Sequence, residues 1–143
     1  MATTEKEKSK IKNKFFSGTG RRKTAVARVF LWDEKGEITV NDKDIAEYFT
    51  TEKEQNIWTK PFHAVGVSHP KAKFKISIKV SGSGKSAQVE AVAHGISHAL
   101  STYSEEFSHI LRKQGLLTRD PRMVERKKPY LHKARKAPQY SKR

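Results

Sequence analysis

The C-terminal stretch Gly115–Arg143, GLLTRDPRMVERKKPYLHKARKAPQYSKR, constrains this chain most, because it cannot join a hydrophobic core. It carries ten basic residues against two acidic ones, Asp120 and Glu125, a net of +8. Pro121, Pro129 and Pro138 lack a backbone donor and push each preceding residue towards extended geometry. Neither a long helix nor a central strand can run through it. The stretch reads as an extended basic arm whose self-repulsion calls for a partner of dense negative charge, that is, nucleic acid. Tyr130 and Tyr140 offer stacking faces, and Gln139 and Ser141 offer neutral hydrogen-bonding groups.

The whole chain repeats that bias. In 143 residues, 30 Lys and Arg stand against 15 Asp and Glu, a net of +15, which favours a polyanion over a neutral small molecule. The length suits one domain with a modest core. Between Val29 and Lys60 the balance reverses, with four basic residues and eight acidic ones, so one region should face away from the polyanion. The absence of cysteine excludes a disulfide framework and thiolate metal sites. No apolar run approaches the roughly 18 residues a membrane span requires, and the N-terminus has no hydrophobic signal region. The expectation is a soluble intracellular protein with no membrane partner.

Along the chain, residues 1–13 have too little apolar surface to order themselves and read as a flexible extension; residues 14–116 form the globular domain and 117–143 the tail. FFSGTGRRK places Gly18 and Gly20 before Arg21, Arg22 and Lys23, a glycine turn with cations placed to grip phosphates. Ala25–Trp32 alternates as a strand with both faces partly covered, which leaves Arg28 needing an anionic partner or a path to the sheet edge. Glu37–Val40 reads as a second strand paired with the first. Asn41 reads as the cap of a helix over Lys43–Phe49. Thr51 and Glu54 form a capping-box pattern for a further helix that Pro61 stops. His63–Lys71 reads as a connection. KFKISIKV alternates strictly, with Phe74, Ile76, Ile78 and Val80 inward. A long helix runs from Ser83 or Ser86 to Tyr103, and another from Ser104 to a Gly115 cap. The fold class is α+β: a small two-layer sandwich, one mixed sheet of about four strands with helices on one face.

Enzyme readings fail on spacing. SGSGKS at Ser81–Ser86 has the outline of a phosphate loop, but Lys79 stands where the Walker pattern needs glycine. His94 and His98 share a helix face as zinc ligands would, yet Gly95 occupies the place of the metalloprotease glutamate and no third ligand is evident. No catalytic residue, metal or cofactor is expected.

GTGRRKTAVARV at Gly18–Val29, ITVN at Ile38–Asn41, Tyr48–Phe49, HGI at His94–Ile96, LTRDPR at Leu117–Arg122, ERKK at Glu125–Lys128 and the terminal QYSKR are colinear, and together they resemble the ninth small-subunit ribosomal protein family in its bacterial form. The resemblance runs from about Phe16 to Arg143. It implies a structural constituent of the small ribosomal subunit that acts in translation, cytoplasmic on the ribosome and bound to small-subunit ribosomal RNA in the head. It implies a left-handed βαβ crossover in the sandwich. It also implies a tail threaded through RNA towards the peptidyl site, where Ser141, Lys142 and Arg143 contact the anticodon stem-loop of transfer RNA. Neighbouring small-subunit proteins would be further partners.

The residues expected on ribosomal RNA are Arg21, Arg22, Lys23, Arg28, Arg119, Arg122, Arg126, Lys127, Lys128, Lys133, Arg135, Lys136, Gln139 and Tyr140. The chain departs from the family at Ala93 and His98, where basic residues are common, and at Pro129–Tyr130, which replaces a glycine-containing link. The alternative reading of the same electrostatics is a free-standing basic nucleic-acid-binding module or RNA chaperone.

Overall fold

The computed structural model describes residues 15–141, so the N-terminal extension and the last two residues, Lys142 and Arg143, lie outside the described residues. The strands are β1 (Phe15–Arg22), β2 (Ala25–Trp32), β3 (Ile38–Val40), β4 (Lys43–Asp44) and β5 (Lys75–Ser81). The helices are α1 (Ile45–Tyr48), α2 (Glu52–Ala64), α3 (Pro70–Lys73), α4 (Lys85–Tyr103) and α5 (Glu105–Lys113). The strands form one mixed sheet in the order β1-β2-β5-β3-β4, parallel only between β3 and β5. The α+β class stands, with five strands rather than about four.

The strict alternation of β5 puts Ile76, Ile78 and Val80 into the core, and Phe74 enters just ahead of them. Ala25, Ala27, Val29 and Leu31 of β2 join them from the neighbouring strand. The apolar stripe of α4, with Val89, Val92, Ile96 and Leu100 fully buried, covers that side of the sheet. α2 packs on α4 through Trp58 and Phe62, and Leu111 of α5 completes the core.

Several expectations are revised. The glycine turn is a strand: Phe15–Arg22 pairs antiparallel with β2 through the two-residue turn Lys23–Thr24, and Gly18 and Gly20 sit inside it. Glycine is depleted in strands, so the pattern hid the element. A Cβ on Gly18 would stand 2.2 Å from the Gly95 carbonyl oxygen, and one on Gly20 1.8 Å from that of Ala91. These glycines let α4 lie directly on the edge strand. Gly95 answers from the helix, where a Cβ would meet a Val29 methyl at 2.7 Å.

β3 does not pair with β2, because β5 lies between them. Asn41 does not cap a helix; at φ +48 its side-chain oxygen accepts from the Val80 amide at 2.9 Å and its Nδ2 donates to the Val80 carbonyl at 3.0 Å. That amide group continues the β3–β5 ladder by one step beyond Val40. Pro61 lies inside α2, which runs on to Ala64, and the connection after it contains the one-turn α3. The far face of β2 is partly covered, as its pattern implies, with Val26, Phe30 and Trp32 half-buried and Arg28 exposed. Arg28 reaches solvent directly.

Candidate nucleic-acid interface

The interface is built outward from the end of β1. Alternation turns Arg22 towards α4 and Arg21 away from it. On the helix side, Arg22 Nε donates to Glu90 Oε2 at 2.5 Å and its Nη1 meets Asp120 Oδ1 at 2.9 Å. Nη1 also donates to the Arg122 carbonyl at 3.2 Å. With its side chain only 12% exposed, Arg22 spends its guanidinium on the protein itself, clamping the start of the tail to the body. Arg122 completes the clamp by holding Asp120 at 2.6 Å. Its side-chain and backbone hydrogen bonds, with the Arg22 charge beyond them, hold the Asp120 carboxyl well below the usual carboxylate range.

A second fastening lies one turn along α4. The Arg21 amide donates to His94 Nδ1 at 3.3 Å, which leaves His94 Nε2 to donate to the Leu117 carbonyl at 3.1 Å. His98 Nε2 stands 3.0 Å from His94 Nε2. The HGI motif is therefore structural on both counts: its histidine ties β1 to the tail, and its glycine admits β1. Among the described residues no group of three or more His, Asp or Glu could hold a metal ion.

Burial and the neighbouring His94 lower the His98 pKa, against a smaller upward pull from the Leu117 carbonyl. A lowered folded-state pKa means the unfolded chain binds the proton more readily, so stability falls as pH drops below the ordinary value of 6.5. The thermal midpoint should decline from neutral towards mildly acid pH, and His98→Asn should flatten that decline. An unchanged slope in the variant would remove His98 as its source.

Gly115, at φ +70, closes α5, and Leu116 and Leu117 stay half-buried against the core. From residue 118 to 141 there is neither helix nor strand, as the prolines and charge predict. The arm is not featureless. Glu125 pairs with Lys128 and, at 2.9 Å, with Arg135, while the His132 amide donates to the Lys136 carbonyl at 2.9 Å. One acid thus folds a loop out of like charges. Arg126, Lys127, Lys133, Lys136, Gln139 and Ser141 are exposed; Arg135 is 84% exposed at the side chain and Tyr130 and Tyr140 are 95% and 96% exposed. Lys23 sits at the β1–β2 turn, where its carbonyl accepts from Arg119 Nη2 at 3.5 Å.

Beside the clamp, a groove of about 710 Å³ lies between α2, α4 and the tail root. Lys53 and Lys60 of α2 line it together with Arg21 and Arg22. Both lysines fall in the acid-rich stretch Val29–Lys60, and the sequence reading did not count them among the candidate cations. Their spacing of seven residues, two helical turns, was the signal available.

Residues 20–143 match the protein family described as ribosomal protein S9/S16, and that span takes in Gly20 of β1, the clamp and the entire tail. The chain belongs to this family. It is 48% identical over 132 residues to proteins called small ribosomal subunit protein uS9 from two strains of Dehalococcoides mccartyi, BAV1 and CBDB1. In both cases the match covers 92% of this chain and 98% of the relative. The resemblance read from seven short motifs is therefore a family relationship along nearly the full length. Within this S9/S16 chain, three of those motifs meet at the tail root, GTGRR and LTRDPR in the clamp and HGI in the fastening beside it, while ERKK begins the loop closed by Glu125.

Proposed function

We propose that this chain is a non-catalytic structural constituent of the small ribosomal subunit, cytoplasmic on the ribosome, that binds small-subunit ribosomal RNA and steadies peptidyl-site transfer RNA. The observation that carries the reading is an arm of 24 described residues without helix or strand, pinned to a folded body at its root and exposed along its cations. Such an arm takes its path from a polyanion around it, since its few apolar side chains are too scattered to bury a core of their own. The body supplies position and the arm supplies reach.

Arg21, Lys23, Arg28, Arg119, Arg126, Lys127, Lys128, Lys133, Arg135, Lys136, Gln139 and Tyr140 meet ribosomal RNA directly, and Lys53 and Lys60 extend this set along the groove. Arg22 and Arg122 contribute chiefly by aiming the arm. Ser141, Lys142 and Arg143 contact the anticodon stem-loop. A terminal ammonium and guanidinium can hold two backbone phosphates without reading bases, which suits a site that accepts every transfer RNA. Neighbouring small-subunit proteins are further partners.

The test is reconstitution. Small subunits assembled with the intact chain should retain it through a high-salt wash, and those assembled with residues 141–143 deleted should assemble equally well yet bind peptidyl-site transfer RNA about tenfold more weakly. Release of the intact chain by the wash would favour a loosely held nucleic-acid module. Failure of the deletion variant to assemble would move those three residues from transfer RNA to the ribosomal RNA scaffold.

A further inference from the structure

The tail root and its clamp lie on the helix-covered side of the sheet, and among the described residues no helix covers the opposite side of β1, β2 and β5. The register aligns what that bare side presents. Thr19, Arg28 and Lys79 form one cross-strand row, and Phe15, Trp32 and Lys75 another, with Phe30 between them on the middle strand. Phe15 is 51% exposed, with its ring 5.7 Å from Phe30 and 6.2 Å from Trp32. Lys75 Nζ lies over the Trp32 ring at 5.9 Å.

The outward positions of these three strands carry Arg21, Arg28, Lys75 and Lys79 and no acid. Among the described residues Arg28 and Lys79 form no ion pair, whereas Asp44, the acid that shares this side on edge strand β4, is already held by Lys71 at 3.1 Å. Rings and cations without an ion pair among the described residues therefore alternate on this face of the sheet.

We infer that this bare sheet face is a second RNA-docking surface, on which unpaired bases stack against Phe15, Phe30 and Trp32 while Arg28 and Lys79 hold the adjoining phosphates. The inference rests on the ribosomal RNA reading proposed above and names the part of the RNA this face takes: a looped or single-stranded segment, since paired bases would hide their flat faces within the stack. A protein partner fits less well. It would have to bring a row of acids to meet Arg28 and Lys79 and an apolar patch to meet the rings, whereas a nucleotide strand brings both anion and flat ring at every step.

The two tryptophans of the chain make the face separately observable. Trp58 is only 8% exposed and its Nε1 has no hydrogen-bond partner, so Trp58→Phe removes a buried unpaired donor while keeping an aromatic ring, and Trp32 then reports alone. The remaining full chain, whose tail holds no tryptophan, is titrated with purified small-subunit ribosomal RNA while Trp32 emission and RNA retention by gel mobility are both followed. Trp32 emission should fall by about half on saturation, as stacked bases quench it, and Arg28→Ala with Lys79→Ala should weaken the quenching transition about tenfold.

RNA retention with unchanged Trp32 emission overturns the inference and leaves the ribosomal RNA reading intact, with binding through the tail alone. Loss of both signals overturns the two together. Emission that changes with protein concentration before RNA is added assigns the face to self-association and also overturns the inference.

Discussion

Gly20→Ala should destabilise this protein by at least about 3 kcal/mol, beyond the usual 1–3 kcal/mol range of small-to-large core changes. The added methyl carbon would stand 1.8 Å from the Ala91 carbonyl oxygen and 2.3 Å from the Gly95 amide nitrogen. Both are backbone atoms of α4, so no side chain can rotate away and the helix itself must lift off β1. A domain of this size holds only about 5–15 kcal/mol in total, so a large share would be lost. The same lift would separate His94 from the Arg21 amide and loosen the tail root. Gly84→Ser is the matched control, because nothing lies within 4 Å of a Cβ there and Gly84 is the N-cap of α4, a position serine favours. Urea unfolding of both variants checks the argument: similar midpoints would mean that the close approach of helix and strand does not limit this fold.

Deleting Arg126–Arg143 should leave the unfolding midpoint within experimental error of the intact chain and reduce affinity for small-subunit ribosomal RNA by on the order of 10³-fold at moderate salt. The segment contains eight basic residues and no acidic one. Its ion pairs at Lys128 and Arg135 both end on Glu125 within the tail, so removing it takes no support from the core. Each phosphate neutralised on a single strand contributes about 0.7 to the salt dependence of log affinity, so full engagement of eight cations would lower that slope by about 5 to 6. Filter binding across a salt series measures both quantities. Undiminished affinity would place the RNA contacts on the body, and a fall in unfolding midpoint would show that the distal tail supports the fold.

The two variants separate what residues do from how they look in sequence. Gly18 and Gly20 beside three cations suggest a phosphate grip, yet their task is to admit α4. The cations beside them divide: Arg22 turns inward to Glu90 and Asp120, while Arg21 and Lys23 stay outside. Nothing in the order of letters distinguishes Arg21 from Arg22 until β1 is recognised as a strand, because only alternation sends neighbours to opposite faces. His98 fits the same logic, since burial and the neighbouring His94 disfavour its charged form.

Local order determined a great deal from the amino-acid sequence alone. The period-two run of β5, the apolar stripe of α4, the Gly115 stop and the proline-broken basic arm all follow from residues a few positions apart, and each stands as read. Tertiary structure alone decided the strand that glycine concealed, the insertion of β5 beside β3, the turn of Asn41 towards Val80, and the employment of Arg22 as a clamp. Those depend on groups 38 to 100 residues distant in the chain. Periodicity reports which face of an element is apolar; it carries no information about which distant element will cover that face, and packing between them settles the rest.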